Sequence, residues 1–336
     1  AEHGRESVAV YLGNPSVHNW SLALYGRVFL RALQTPNIFS ASTVDQIPKQ
    51  LASGLMFGSY ATVAVPDIER TDYLLMLGAN PFESNGSLWT VPDFPGRLRR
   101  MRERGGTCVV VDPRRTRTAA AADRHLFIRP GTDALLLAAI AHTLFAEDLV
   151  LLAELASHVT GLDAARAALA PFTPDAVAAT CGIEAGEIRR LAREIAAAPR
   201  AAVYGRIGTC TQEFGTLASW LVDVINVVTG NLDRPGGVMF PLAAAFAQYA
   251  AAVSGAACRP AVAAAAYAAP RRSWASFRAR VWRRRSRPPA RARSGRCSPS
   301  PATRCSARPT ATASTRRCAS STSRSASTSI STRRPA

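Results

Sequence analysis

Four short turns carry the residue types that could do chemistry. They are Gly13-Asn14-Pro15, Gly78-Ala79-Asn80-Pro81, Asp112-Pro113-Arg114 and the turn from Gly205 to Gly208, and each follows an apolar run. Glycine lets a backbone approach a phosphate closely, and the N-terminus of a following helix attracts an anion. Asn and Asp side chains suit the hydrogen-bonding edge of a purine. Each turn alone is also typical of an ordinary strand-to-helix connection, but four of them without a GxGxxG motif favour a large nucleotide-like ligand.

The apolar runs before these turns predict the strands that must position them. Strands are predicted at Ser7–Gly13, Asn37–Ser42, Asp72–Gly78, Thr107–Val111, Leu126–Arg129 and Ala201–Ile207, with helices between them. Continuous apolar strands that alternate with helices are typical of a parallel sheet covered on both faces. We therefore expect an α/β fold with a doubly wound, mainly parallel sheet, which binds ligands at the carboxyl ends of its strands.

The charge of the chain is concentrated at one end. Its 336 residues carry 41 Lys and Arg against 23 Asp and Glu, and a net charge of +18 suggests a nucleic-acid-binding protein. However, residues 251–336 contain 19 arginines and no lysine or acidic residue, so residues 1–250 are nearly neutral. We expect this Arg/Ser/Pro-rich tail to be non-native or disordered, because no periodicity survives there. Nucleic-acid binding through the tail stays open as an alternative, although the charge distribution argues against it.

Several other classes of protein are disfavoured. The seven cysteines form no CxxC motif, so the sequence predicts neither a zinc site nor an iron–sulfur cluster. No charged-then-apolar signal segment begins the chain. The most apolar stretch, Ala134–Ala156, is interrupted by charged residues and predicts an amphipathic helix rather than a membrane span. We expect no membrane segment and a cytoplasmic location.

Three segments resemble the molybdopterin oxidoreductase family, which includes formate dehydrogenases, nitrate reductases and dimethyl sulfoxide reductases. They are GANPFESNGS (78–87), VVVDPRRTRTAAAADRHLFIRPGTDALLLAAIAH (109–142) and YGRIGTCTQEFGTLASWLVDVINVVTGNLDRPGGVMF (204–240). The resemblance runs from about Ser7 to Pro241. It implies a molybdenum or tungsten ion held between two molybdopterin guanine dinucleotides. It also implies oxo transfer or dehydrogenation on a small-molecule substrate, with electron transfer to a further subunit or domain.

The resemblance assigns cofactor-binding roles to individual residues. Gly13, Asn14 and Pro15 would line the cofactor near the first strand. The other positions are Asn80, Pro81, Glu83, Ser84, Asp112, Arg114, Thr116, Gly131, Asp133, Gly205, Arg206, Gly208, Thr209 and Asn231. The first four of these would contact one dinucleotide, the next five would lie along its nucleotide and guanine end, and the last five would face the cofactor from a second domain.

The metal ligand is the most informative position in the resemblance. In formate dehydrogenases a Cys or selenocysteine ligand follows an Asn-led strand and precedes a His and a Pro. Counting from Asn37 places Asp45 at the ligand position and Gln46 at the His position, which makes them the candidate catalytic residues. A carboxylate is a hard oxygen ligand suited to high-valent molybdenum, as in the membrane-bound respiratory nitrate reductases.

Other interpretations of this stretch stay open. Asp45 could instead be the N-cap of a helix that contains Pro48, and Ser40 or Ser42 is the fallback metal ligand. The missing His puts formate oxidation in doubt, because that His is a candidate for proton transfer.

The resemblance divides the chain into three parts. Residues 1–160 form a Rossmann-like domain that binds molybdopterin guanine dinucleotide, residues 161–250 form its helical and α/β continuation, and residues 251–336 form the basic tail. The CxxCxxxC run that holds a [4Fe-4S] cluster in many members is missing, as are the carboxyl-terminal domains, so we expect a fragment truncated at both ends. The alternatives are an NAD-dependent Rossmann enzyme and an inactive remnant or nucleotide-binding module.

A frameshift in a GC-rich gene would explain the tail. With suitable codons, another frame of Arg271–Arg296 reads PEVLGELPGACLAEEIETPGEGQIRA, which looks like globular sequence of the same family. We expect DNA sequencing to reveal a single-base shift near codon 250 that opens such a frame. If no single-base shift opens one, the hypothesis is wrong. A salt-dependent gel shift lost on deletion of residues 251–336 would then support nucleic-acid binding.

Overall fold

The computed structural model describes residues 3–13, 19–60, 62–241 and 326–327. The chain divides into two compact units, one formed by residues 1–41 with 278–336 and the other by residues 42–277. The predictions for residues 242–325 and 328–336, which include most of the basic tail, lie outside the described residues.

The first unit contains a small parallel sheet. A 3-10 turn at Arg5–Ser7 leads into β1 (Val8–Leu12), and α1 (Trp20–Leu33) connects β1 to β2 (Ile38–Ser40). β1 pairs in parallel with β2 on one side and with Ala326–Ser327 on the other. The hydroxyl of Thr35 donates to the carbonyl of Val8 at 2.6 Å, which ties the start of β1 to the turn before β2. The two strands predicted for this part of the chain are confirmed.

The second unit is built on a four-stranded sheet. Its elements in chain order are α2 (Ser42–Asp45), α3 (Ile47–Phe57), β3 (Val65–Pro66), β4 (Tyr73–Leu77), α4 (Pro81–Ser84), α5 (Phe94–Glu103), β5 (Thr107–Val111), α6 (Arg117–Ala121), β6 (Arg124–Leu126), α7 (Asp133–Ala146), α8 (Leu162–Leu169), α9 (Pro174–Cys181), α10 (Ala185–Ala197), β7 (Ala201–Gly205), α11 (Gly215–Val228) and β8 (Val238–Met239), with 3-10 turns at Ser87–Trp89 and Ala153–Ser157. The strand order is β6-β5-β4-β7, and every pairing in this sheet is parallel. β3 and β8 form a separate short antiparallel pair. The predicted α/β fold is confirmed, and the part predicted to span 161–250 contributes β7 to the same sheet as β4 and β5.

Both faces of the four-stranded sheet are covered. On one face, Leu75, Leu77 and Val109 pack with apolar side chains of α7, α10 and α11. On the other face, Leu74, Met76 and Val110 pack against the 3-10 turn after α4 and against α5. Because successive strand residues point to opposite faces, an apolar run buried on both sides is what a doubly wound sheet requires.

Helix α7 differs from its prediction. Its end at Ala146 agrees with the predicted end at Phe145, but the helix is buried nearly all round instead of being amphipathic. It packs against α8, α9, α10 and α11, so a polar face would have no access to water. Among the described helices, none has both the length and the apolar character needed to cross a membrane.

The amino ends of the strands are held together by ion pairs. Glu194 on α10 accepts hydrogen bonds from the Tyr73 hydroxyl and from the Arg124 guanidinium, which join the first residues of β4 and β6. Arg200 and Asp72, which precede β7 and β4, form a bidentate pair with both distances at 2.8 Å. This edge of the sheet is therefore fixed by charged contacts between residues far apart in the chain.

The Glu194 contacts make stability depend on pH. Burial alone would raise the pKa of Glu194, but hydrogen bonds from Arg124, Tyr73 and Arg190 outweigh it and lower the pKa from 4.5 to about 2. Because this folded-state pKa lies below the ordinary value, ionised Glu194 stabilises the fold above pH 4.5, and that contribution is lost as the pH falls towards 2.

We expect Glu194→Gln to lower the free energy of unfolding by about 2 kcal/mol at pH 7, after allowance for partial exposure. The difference from the parent protein should shrink as the pH falls through 4 towards 2, because both proteins then carry a neutral side chain. Urea unfolding at pH 7, 5 and 3 measures it. Glu147→Gln, which breaks the more exposed pair with Arg193, is the matched control with a much smaller loss expected. A difference that does not change with pH would contradict the assignment.

Candidate functional site

The carboxyl ends of the four strands meet at one edge of the sheet. In register, Leu77 of β4 lies beside Val111 of β5 and Gly205 of β7, and Val111 lies beside Leu126 of β6. The chain passes from β4 outward to β5 and β6, then returns to place β7 on the other side of β4. This reversal is a topological switch point, where open α/β sheets bind ligands in the crevice beyond the strand ends.

Two glycines approach each other closely at the switch point. The amide of Gly208 donates to the carbonyl of Gly78 at 3.1 Å, and the amide of Gly78 donates to the carbonyl of Val111 at 3.0 Å. A Cβ atom added to Gly78 would lie 2.8 Å from the Cα of Gly208, and Gly78 has a φ of +56°. Both the contact and the left-handed conformation therefore require glycine at position 78.

A cleft of about 230 Å³ opens beside this glycine contact. Seven of the predicted cofactor-binding residues line it: Asn80, Glu83, Ser84, Asp112, Arg114, Thr116 and Arg206. Five other residues line it: Gly78, Ala79, Gly86, Ser87 and Ile207. Gly78, Ala79 and Ile207 lie in two of the turns predicted to bind a ligand, although no individual role was predicted for them. Gly86 and Ser87 were missed, and nothing in the local sequence indicates that Ser87 faces Arg206.

Hydrogen bonds orient the polar groups of the cleft. The hydroxyl of Thr118 donates to Asn80 Oδ1 at 2.6 Å and so fixes the amide of Asn80. Asp112 Oδ1 accepts from the amide of Arg114 at 2.8 Å, which holds the turn after β5. The hydroxyl of Thr116 accepts from the amide of Ala119 and caps α6. Glu83, which is exposed, forms an ion pair with Arg117.

Asp133 is joined to the turn after β7. It is buried at the first turn of α7, and its Oδ2 accepts from Gln212 Nε2 at 2.9 Å. The same nitrogen donates to the carbonyl of Gly208 at 3.0 Å. Burial raises the pKa of Asp133, the hydrogen bond from Gln212 opposes the rise, and the charge of Asp112 adds to it. Gln212 is thus a site residue that the sequence prediction missed.

The candidate metal ligand lies at the end of α2. Asp45 is the last residue of that helix, and the N-cap of α3 is Gln46, whose side chain makes no capping hydrogen bond. The alternative that Asp45 caps the helix containing Pro48 is therefore wrong. The guanidinium of Arg206, itself buried, donates to the main-chain carbonyl of Asp45 and to the hydroxyl of Ser87 at 3.0 Å. Arg206 thus links the tip of β7 to the segment that carries Asp45.

Four predicted residues occupy other positions near the strand ends. Pro81 is buried at the start of α4, Gly131 is exposed with a φ of +85° just before α7, and Gly205 ends β7. Thr209 is fully buried, and its hydroxyl oxygen has no hydrogen-bond partner among the residues that the structure describes. A Cβ on Gly205 would lie 2.9 Å from that hydroxyl oxygen, so Gly205 leaves room for Thr209.

The structure does not bring all predicted residues to this edge. Asn231 is buried at the opposite edge, where its Oδ1 accepts from the amide of Ala201, the first residue of β7, at 3.0 Å. Its Nδ2 donates to Thr229, so its side chain stabilises the start of the strand instead of facing the cleft. Gly13 follows β1 in the first unit, and Asn14 and Pro15 lie outside the described residues. Of the fallback ligands, Ser40 ends β2 in the first unit and Ser42 begins α2.

No cluster of three or more His, Cys, Asp and Glu that could hold a metal ion occurs among the described residues.

The fold and the cleft define a doubly wound α/β domain with a polar cleft at its switch point. A profile of the molybdopterin oxidoreductase family matches residues 1–313. The chain therefore belongs to the molybdopterin oxidoreductase family, whose members are oxidoreductases with a molybdenum or tungsten molybdopterin cofactor.

Curated relatives agree with this assignment. The chain is 28% identical over 225 residues to the F420-dependent formate dehydrogenase subunit alpha of Methanocaldococcus jannaschii, which covers 67% of this chain and 32% of the relative. It is 32% identical over 242 residues to the thiosulfate reductase molybdopterin-containing subunit PhsA of Salmonella typhimurium, which covers 71% of this chain and 30% of the relative. The match thus spans about a third of the length of these relatives.

A solved structure shares the fold. The acetylene hydratase from Pelobacter acetylenicus superposes with a TM-score of 0.54 and 24% sequence identity, over 68% of this chain and 30% of that chain. At this identity the likeness establishes the architecture alone.

The glycine contact at the switch point can be tested by substitution. A Cβ on Gly208 would lie 2.8 Å from the Cα of Gly78, and backbone atoms on both sides must move to accept it. We expect Gly208→Ala to lower the free energy of unfolding by about 2 kcal/mol, as overpacking does. Gly186→Ala in α10, where an added Cβ meets nothing within 4 Å, should be neutral or stabilising by up to about 1 kcal/mol. Urea unfolding measures both variants. Equal changes in the free energy of unfolding would show that the contact with Gly78 does not require glycine at position 208.

Proposed function

We propose that the cleft binds the guanine dinucleotide form of the pterin cofactor, and that the intact enzyme carries out oxo transfer or dehydrogenation on a small substrate. The observation that carries the proposal is the backbone contact between Gly78 and Gly208, which brings the turns after β4 and β7 together beside a polar cleft at the switch point. Glycine at the tip of β4 lets the backbone approach a pyrophosphate group closely.

Polar groups left without partners support the fit of such a ligand. Thr209 Oγ1 and Gln212 Oε1 are buried at the turn after β7 and have no hydrogen-bond partner in the described part of the chain. Buried polar atoms are usually satisfied, so each such atom needs an explanation. A ligand with several hydrogen-bond donors, such as a pterin or a guanine, offers partners to these oxygen atoms.

The charged residues of the cleft suggest which part of the ligand each would hold. Arg114 is an exposed cation at the turn after β5 and suits a phosphate. Asp112 and Asp133 provide carboxylate acceptors whose charges act on each other, and they suit the donor edge of guanine, whose ring nitrogen and amino group both donate. Asn80, held by Thr118, offers its amide group between these two regions.

Asp45 is the residue we propose as the protein ligand of the metal, with Gln46 beside it. Arg206 contacts the main-chain carbonyl of Asp45 and not its carboxylate, so this contact does not prevent the carboxylate from binding a metal. A bound molybdenum or tungsten cofactor supplies a metal that changes oxidation state by two electrons while the substrate gains or loses an oxygen atom, or a proton and electrons. The contribution of this chain is to orient the cofactor and to provide a hard oxygen ligand.

Further partners belong to the proposal as well. Two of the relatives are named as subunits, which supports an electron-transfer subunit or domain as a partner of the intact enzyme. A [4Fe-4S] cluster elsewhere in the intact enzyme, a small-molecule substrate and a cytoplasmic location complete the proposal.

The test is to produce the full chain in a host that makes the molybdenum cofactor and to measure bound pterin, guanine nucleotide and molybdenum after purification. We expect Arg114→Glu to lower the pterin and guanine nucleotide content about tenfold, because it replaces a phosphate partner by a repelling charge. Arg115→Glu is the matched control, since Arg115 is the adjacent exposed arginine and lines a different pocket beside β6.

Equal losses in the two variants would contradict the placement of the phosphate at Arg114. Parent protein without pterin or guanine nucleotide would contradict cofactor binding by this chain.

A further inference from the structure

A buried ion pair joins the helix after Asp45 to the helix after the β7 turn. Lys49 Nζ on α3 lies 2.8 Å from Asp223 Oδ1 on α11, and the two side chains are 1% and 2% exposed. The residues are 174 positions apart in the chain. Removing two charges from water costs several kcal/mol per ion, so a buried pair contributes little net stability compared with apolar residues. We therefore expect the pair to fix the position of α3 against α11 more than to increase the free energy of unfolding.

The choice of residue also indicates a specific role. Lys49 is the only lysine in the sequence, and the other 40 basic residues are arginines. An ammonium is a compact charge with three N–H donors, whereas a guanidinium has five donors in a fixed fork and would need more partners in this interior. The position therefore selects the smaller cation.

The ion pair lies on a line of buried polar groups that begins at the candidate site. The guanidinium of Arg206 contacts the main-chain carbonyl of Asp45 and lies 3.8 Å from the sulfur of Cys210. That sulfur lies 3.7 Å from the hydroxyl of Ser219, which precedes Asp223 by one turn of α11. The segment around Asp45 is thus held at two residues that are four positions apart. Arg206 contacts the carbonyl of Asp45, and Asp223 contacts the side chain of Lys49.

Resting on the proposed role of Asp45, we infer that Lys49 and Asp223 are positioning residues that hold the start of α3, and with it the Asp45 carboxylate, in the orientation that completes the metal site. A metal ligand must be held within a fraction of an ångström, and a rigid second contact is the usual means. Neither residue touches the cleft, since both are buried between α3 and α11.

Hydrogen exchange on the full chain tests the inference without requiring cofactor. The double variant Lys49→Met/Asp223→Leu removes both charges while retaining apolar volume, so it avoids a single uncompensated buried charge. We expect the amides within residues 42–48, of which Pro48 has none, to exchange about tenfold faster in this variant, while amides of β4 keep the parent rate. The swapped variant Lys49→Asp/Asp223→Lys should restore much of the protection, because it rebuilds the pair with the charges exchanged.

Metal content provides the readout that a merely structural role would not change. In protein from the cofactor-producing host, we expect the double variant to lose at least half of its molybdenum per guanine nucleotide, while the guanine nucleotide content stays near that of the parent. The matched control is Arg193→Met/Glu147→Leu, which removes an ion pair between the α10 surface and the end of α7. It should leave both the exchange of residues 42–48 and the metal ratio unchanged.

Two outcomes would overturn the inference. One is parent-like exchange at residues 42–48 in the double variant. The other is equal acceleration at 42–48 and in β4, which would mean that the pair acts on global stability alone. If the parent protein carries no molybdenum or guanine nucleotide, the proposed function fails, and the exchange data still decide whether the pair holds the Asp45 segment.

Discussion

The close approach of the Gly78 and Gly208 backbones is the constraint on which the site depends. It sets β7 directly beside β4 at the point where the strand order reverses, and a cleft lined largely by polar residues opens beside it. The strands β4, β5 and β7 end beside one another, so the turns that follow them begin next to this contact. These turns carry most of the polar groups that line the cleft. A side chain at either glycine would separate the strand ends and remove the geometry that makes a nucleotide-type ligand possible.

Much of the fold follows from local sequence. The apolar runs of β4, β5 and β7 are each too short for a buried helix and end in turn residues, so their identity as buried parallel strands could be predicted. Boundaries were less accurate: β6 covers Arg124–Leu126 rather than Leu126–Arg129, because pairing with β5 selects its register. The amphipathic interpretation of α7 was wrong because the helices that surround it contact it on every side, and the sequence of one helix does not reveal its neighbours.

The candidate site, like the fold, could be predicted from the sequence only in part. Asn80, Asp112 and Arg114 could be grouped in advance because the carboxyl ends of parallel strands share one edge. Gln212 and Ser87 could not, since their partners lie across the chain and no short motif marks the contact. Asn231 was assigned by similarity of sequence, and topology explains its different position: it follows α11, which carries the chain back to the amino end of the sheet. That the predicted residues bind a cofactor stays a prediction.

The two edges of the sheet differ in how their polar groups are paired. At the amino edge, Glu194 pairs with Arg124 and Asp72 pairs with Arg200, so charge there is used to fix the strands. Arg124 Nε and Glu187 Oε1 form an ion pair there at 3.1 Å without hydrogen-bond geometry. At the carboxyl edge, Thr209 Oγ1 and Gln212 Oε1 are buried without a hydrogen-bond partner among the described residues, and the side chain of buried Asp133 accepts from Gln212. Unsatisfied polar groups cost free energy in the absence of a ligand, and the same groups provide binding energy when a ligand supplies the missing partners. The ion pairs at the amino edge therefore help to offset the cost of leaving the other edge open, whereas the buried pair at α3 contributes to geometry more than to stability.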